Sequence, residues 1–190
     1  MAKFLISSPS VEGCLEETQP EVAFLGRSNV GKSSLLGAML EQPTLVRRSR
    51  TPGRTQLINY FEDNMNNWLV DLPGYGYADV PAKVQYEMQD MIKRYVLERG
   101  RLTAVVLLMD ARREGPSDED RAWFEFIQTS GRRVQVVMTK SDRIGKAQRK
   151  PAAHRLEEQL GLERGGVLIC SATDGTGVSE LQKRVTAWLS

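Results

Sequence analysis

Cysteine is scarce in this chain. Only Cys14 and Cys170 occur among 190 residues, which is no disulfide framework, and Cys170 closes an apolar run that belongs in a core. A reduced, cytoplasmic compartment is expected. Histidine is scarcer still, and the lone His154 reads as incidental rather than catalytic. An excess of one charge is also missing: 26 Lys and Arg stand against 24 Asp and Glu, a net charge of +2. Bulk charge therefore does not announce a nucleic-acid partner, and only local clustering could. No stretch approaches the roughly eighteen apolar residues of a spanning helix, so no membrane association is expected. The opening MAKFLISSPS has one lysine and three successive apolar residues, too little for a secretory signal.

What is present is enough hydrophobic residue, 41%, to fill the core of one domain. The chain is organised around EVAFLGRSNVGKSSLLGAML, residues 21–40: an apolar strand, a glycine loop and a helical pattern. Gly26, Arg27, Ser28, Asn29, Val30, Gly31, Lys32, Ser33 and Ser34 fit a phosphate loop. Gly26 and Gly31 let the backbone turn its N–H groups inward, and Lys32 carries a mobile positive charge to the β- and γ-phosphates. Ser33 offers a hydroxyl to magnesium, and the helix adds its positive end to the same anion site.

Around this loop the pattern alternates. Residues 56–61 and 67–70 read as a hairpin about the polar turn 62–66. Helices are expected over 83–99, 117–129 (capped by Ser117), 151–160 and 178–189 (with Ser179 as a cap), and strands over 102–109, 134–138 and 167–170. Nearly continuous apolar strands between helices predict a three-layer α/β domain with a mostly parallel six-stranded sheet and one antiparallel edge strand. Residues 1–19 read as an N-terminal arm or a short strand lying across the domain 20–190.

The polar signals fall at strand ends, where such a sheet binds its ligand. Asp71 closes an apolar strand before Pro73 and Gly74, a costly place for a charge unless a cation uses it. Its expected task is to hold magnesium through water, with the Gly74 N–H offered to the γ-phosphate. Asp142, after the strand 134–138, has only acceptors, which suit the N1–H and 2-amino group of guanine and mismatch adenine. An unpaired buried acceptor costs on the order of 1–3 kcal/mol, so ATP should be rejected. Lys140 can lay its methylenes on the purine face, and the N–H of Ala172, beside Ser171, can answer the guanine O6.

The set GRSNVGKS, TPGRTQ, DLPGYGYA, TKSD and SA resembles the small bacterial GTPases of the TrmE-Era-EngA-EngB group, and specifically the EngB family, over residues 20–189. The resemblance implies binding and slow hydrolysis of GTP to GDP, dependence on magnesium, and association with the large ribosomal subunit during its assembly. It also implies a requirement for normal division and septation. Carried over by motif, Lys32, Thr55 and Gly74 would serve catalysis, and Ser33, Thr55 and Asp71 would hold the metal. Asn29 would stand near the β/γ bridge, with potassium as a possible companion. Within the first switch, Thr51 and Ser49 are alternatives to Thr55. Thr139 departs from the more usual asparagine, whose task is to tie the guanine loop to the phosphate loop.

Local charge bears on the partner. Arg47, Arg48, Arg50 and Arg54 form one acid-free basic segment and Arg143, Lys146, Arg149, Lys150 and Arg155 another, with Arg132 and Arg133 elsewhere. They are either solvated surface or loops facing ribosomal RNA. Tyr75 stands where signalling GTPases often carry a water-orienting glutamine, and no replacement is evident nearby. The chain is expected to act as a monomer. A nucleotide-gated protein-binding module at the division site and a P-loop kinase or ATPase are the alternative readings.

Overall fold

The computed structural model describes residues 1–48, 57–76 and 80–190. Strands β1 (Lys3–Ser8), β2 (Glu21–Gly26), β3 (Ile58–Glu62), β4 (Trp68–Asp71), β5 (Leu102–Asp110), β6 (Arg133–Thr139) and β7 (Val167–Ile169) form one sheet in the order β1-β3-β4-β2-β5-β6-β7. Helices α1 (Lys32–Met39), α2 (Pro43–Arg48), α3 (Ala82–Glu98), α4 (Asp118–Thr129), α5 (Lys146–Leu160) and α6 (Val178–Leu189) lie about it. The sheet has seven strands rather than the expected six. The additional strand is β1, which pairs antiparallel with β3, itself antiparallel to β4. The strand that runs against its neighbours is therefore β3, one place in from the edge.

Alternation within the strands makes the three layers. Ala23 and Leu25 face a cluster with Ile92, Tyr95, Trp123, Phe124 and Leu156, from α3, α4 and α5. Val22 and Phe24 face Leu35, Leu36, Leu181 and Val185, from α1 and α6. Both sides of β2 are thus covered, as its unbroken burial requires. The phosphate loop leaves the carboxyl end of this central strand, which brings it beside the ends of β4, β5, β6 and β7.

Several boundaries differ from expectation for local reasons. No helix is expected between α1 and the hairpin, yet α2 lies there, packs against α1 and buries Val46. α5 begins at Lys146, ahead of Pro151, so the proline lies inside the helix instead of opening it. The cap of α6 is Gly177 in a left-handed conformation and not Ser179, and a Cβ at Gly177 would fall 2.1 Å from the Ile169 carbonyl oxygen. Ser117 does cap α4: its hydroxyl accepts from the Asp120 N–H at 3.2 Å while Asp120 accepts from the Ser117 N–H at 2.8 Å.

Candidate functional site

Gly31 has φ 101°, a conformation that disfavours a side chain, and a Cβ on Gly26 would stand 2.9 Å from the Leu108 carbonyl oxygen. These two glycines set the curl of the loop, with Asn29 also left-handed at φ 62°. α1 starts immediately after Gly31, so its opening N–H groups, which lack a preceding carbonyl in the helix, face the loop's concavity. A cavity of about 470 Å³ is lined by residues 27–34 together with Gly74 and Lys140.

Lys32 is buried and pairs with buried Asp71, and its Nζ also donates to the Leu72 carbonyl oxygen at 2.6 Å. The strand-end acid of β4 and the loop lysine thus meet at the floor of the site. Ser33 Oγ is buried and has no hydrogen-bond partner among the described residues. An orphaned buried hydroxyl, one residue past the lysine that meets Asp71, is the donor type a hard cation takes, so the residues present fit magnesium. Among the described residues no cluster of three or more His, Cys, Asp or Glu could hold a metal alone, which leaves phosphate oxygens and water to complete such a sphere. Thr55, Thr51 and Ser49, the candidates for the first switch, lie outside the described residues.

The start of the second switch is close to the loop. The Ser28 N–H donates to the Tyr75 carbonyl oxygen at 2.8 Å and the Tyr75 N–H to that of Gly26 at 3.3 Å. A Cβ on Gly74 would lie 3.2 Å from the Ser28 nitrogen. The Tyr75 side chain is directed elsewhere: it is buried, its hydroxyl donates to Asp120 Oδ1 at 2.6 Å, and its ring stacks on Trp123. Arg27 also reaches α4, pairing with Glu119 at 2.8 Å.

On the guanine side, the Thr139 hydroxyl donates to the Val30 carbonyl oxygen at 2.7 Å, and that of Met109 lies 3.2 Å away. A hydroxyl therefore makes the tie to the phosphate loop that asparagine would make. Lys140 crosses the same loop and donates to the Asn29 carbonyl oxygen at 2.5 Å. Ser171, buried, donates to Asp142 Oδ1 at 2.7 Å and accepts the N–H groups of Thr173 and Asp174, at 3.1 and 3.2 Å. The carboxylate and the Ser171–Ala172 turn are thereby held as one unit.

A chain with this site can be placed among known proteins. The family model described as "50S ribosome-binding GTPase" matches residues 21–140. The chain is 44% identical over 171 residues to a probable GTP-binding protein EngB of Geobacter metallireducens, covering 90% of this chain and 83% of that one. The chain belongs to the EngB family of GTP-binding proteins. A second EngB relative, from Syntrophus aciditrophicus, is 43% identical across 96% of this chain and 92% of its own length. The crystal structure of a probable GTP-binding protein EngB superposes with a TM-score of 0.76 at 25% identity, covering 89% of this chain and 98% of that chain. The chain is accordingly a P-loop GTPase. No helix among its described residues is long and apolar enough to cross a membrane.

Two basic residues of this EngB-family chain are placed differently from the surface reading. Arg149 is largely buried and reaches Asp174 at 3.3 Å and Thr176 at 3.5 Å, bracing the Ser171 turn. The Arg132 guanidinium donates to the carbonyl oxygens of Val96, Arg99 and Leu102, at 3.0, 2.8 and 2.9 Å, closing the end of α3. Arg133 remains on the surface, exposed, with its guanidinium 5.7 Å from the Trp188 ring centre. Asp110 and Arg112, which the sequence does not flag, reach the site through Lys140. Their signal in the chain is an acid closing an apolar strand, the same that marks Asp71.

Proposed function

We propose that this EngB-family GTPase is a nucleotide-dependent switch that binds GTP with magnesium, hydrolyses it slowly, and acts in the cytoplasm in assembly of the large (50S) ribosomal subunit. Normal division and septation would follow from that role. The reading is supported above all by one observation: Lys140 and Thr139 cross to the phosphate loop while Asp142 is held by Ser171 at the neighbouring strand end. Triphosphate and base sites are thus built as one piece. The family's description as ribosome-binding supplies the biological setting.

In this reading Lys32 and the loop amides hold the phosphates, Ser33 and Asp71 hold magnesium with Thr55 from the first switch, and Gly74 offers its N–H to the γ-phosphate. Bound magnesium would neutralise charge on the phosphoryl oxygens. Asp142 takes the guanine N1–H and amino group, Lys140 supports the purine face, and the Ala172 N–H meets O6. Slow turnover is attributed to Tyr75, whose side chain is committed to Asp120 and Trp123 and so does not orient a water. Potassium beside Asn29, or a ribosomal partner, would then complete the site.

Calorimetry on the parent and on Asp142→Ala, with GDP and ADP, tests the base assignment. Loss of the guanosine preference is expected, and an unchanged preference would overturn the reading.

Ribosomal RNA is the proposed partner, through α5. Lys146 and Lys150 are exposed one turn apart on that helix, whereas Arg149 and Arg143 are tied to Asp174 and Asp142. The clean variant is therefore Lys146→Glu with Lys150→Glu, which leaves the guanine loop alone. Its retention on ribosomal particles should fall below the parent's and lose part of the parent's salt dependence. Equal retention would remove this surface without touching the GTPase assignment.

A further inference from the structure

We propose that Asp110 is a positioning residue for the nucleotide: it holds the Lys140 ammonium against the phosphate loop, so that the lysine stem forms a fixed floor for the purine, and Arg112 holds Asp110 in turn. The proposal rests on the guanine-nucleotide reading given above.

Asp110 is the last residue of β5 and lies in register with Thr139 at the end of β6, one residue before Lys140. Its Oδ2 accepts from Lys140 Nζ at 2.8 Å, and the same ammonium reaches the Asn29 carbonyl oxygen at 2.5 Å. Arg112 closes on the other side of the carboxylate, with Nε at 3.0 and 3.2 Å from its two oxygens, Nη2 at 2.7 Å and its backbone N–H at 3.0 Å. The acid's side chain is only 8% exposed. An exposed ion pair would position little. Here the acid's side chain is buried although that of Arg112 is 55% exposed, and the carboxylate takes the Arg112 guanidinium and backbone N–H together with the Lys140 ammonium, which fixes its orientation.

What the anchor fixes is also visible. Lys140 has φ 57°, uncommon for a residue with a side chain. A Cβ on Gly31 would stand 3.4 Å from Lys140 Cε, so the stem runs alongside the phosphate loop with room for no more than a methyl group between them. Released from Asp110, this flexible four-carbon chain would have to be ordered again each time a nucleotide bound.

The full chain and its Asp110→Ala, Asp110→Asn, Lys140→Ala and double Asp110→Ala/Lys140→Ala variants would be titrated with GDP, GTP and ADP. Asp110→Ala should weaken GDP and GTP alike by about tenfold, the effect of losing one charge-assisted contact. The preference for guanosine over adenosine should survive, and Asp110→Asn, which keeps an acceptor oxygen, should recover part of the loss. In the Lys140→Ala background the Asp110 substitution should add less than about twofold, because the two residues act as one unit. Affinity of Asp110→Ala within about twofold of the parent, or a full additional loss in the double variant, would overturn the proposal. Should Asp110→Ala fail to fold, the same comparison falls to Arg112→Ala, which is expected to weaken GDP in the parent background and not in Lys140→Ala. Asp142→Ala run alongside separates the two ideas: loss of base preference there with no effect at Asp110 removes only the positioning role.

Discussion

At position 139 a hydroxyl with one proton serves two carbonyl oxygens, Val30 at 2.7 Å and Met109 at 3.2 Å, and can donate to only one at a time. An amide has two such protons. Thr139→Asn is therefore expected to tighten GDP by about threefold, about 0.7 kcal/mol and within the net worth of one hydrogen bond. Thr139→Val should cost about 1–3 kcal/mol in urea unfolding through the unpaired buried carbonyl. Calorimetry showing no gain for the asparagine variant would mean the hydroxyl already suffices. Asp110 carries the pH argument: burial alone would raise its pKa, but hydrogen bonds from Arg112 and Lys140 outweigh it and hold the group at about 2, below the ordinary 3.8. A lowered value stabilises the fold above the unfolded pKa and ceases to do so as pH falls through the folded one. This group's contribution should thus be constant above about pH 5 and be lost between about pH 4 and pH 2, so the gap between the thermal midpoints of the parent and Asp110→Ala should narrow across that window. The phosphate loop and TKSD are legible in the chain because their chemistry is local. Asp110 shows the same strand-closing acid as Asp71 but not its partner, and the roles of Arg149 and Arg132 are not legible, because each acts on a segment that only the folded sheet brings near.

Among the elements, α5 is the one whose own sequence supports it least. No side chain caps it at Gly145, no acid stands in its first turn, where Lys146 and Arg149 oppose the helix dipole, and Pro151 interrupts its hydrogen bonding. Burial of Ala152, Ala153 and Leu156, and a left-handed Gly161 at its end, hold it instead. This explains why periodicity places its start at Pro151: the one apolar side chain of the first turn is the small, exposed Ala147. It also yields a prediction. Gly145 has φ −57° and ψ 142°, which any residue can adopt, and a Cβ there meets only Gln148 at 3.7 Å. Gly145→Asp should stabilise the protein by about 0.5–1 kcal/mol, a rise of about 1–4 °C in the thermal midpoint. If the basic start is kept for an RNA partner, the same variant should weaken ribosomal-particle retention at low salt.

Across the whole molecule, the site and the opposite rim of the sheet are separated by the length of β2. At its amino end Glu21 is fully buried, taking Arg99 Nε at 3.0 Å and the Tyr60 hydroxyl at 3.3 Å, with the Tyr95 hydroxyl and the rest of the Arg99 fork closing round it. Removing the cation would strand a buried charge, so Arg99→Ala should lose about 3–5 kcal/mol in urea unfolding. Its GDP affinity, read where the chain remains folded, should match the parent's. Conversely, GDP at a hundredfold its dissociation constant should stabilise the parent by about 2.7 kcal/mol, and ADP at that concentration should not. The layered α/β plan is legible from the alternation of apolar strands with amphipathic helices. The seventh strand is legible only as one of two readings of residues 1–19, an arm or a short strand, because KFLISS has too little pattern of its own to decide and is recruited by β3.

That recruitment governs how the chain tolerates trimming. Phe4 lies edge-on to Phe61 at 5.7 Å and Ser7 donates to Asn59 at 2.5 Å, so the first eight residues roof over one side of β3. A protease cut after Ser8 would bare an unpaired ladder with an aromatic beside it, and shortened copies would zip together through it and precipitate while their nucleotide chemistry remained intact.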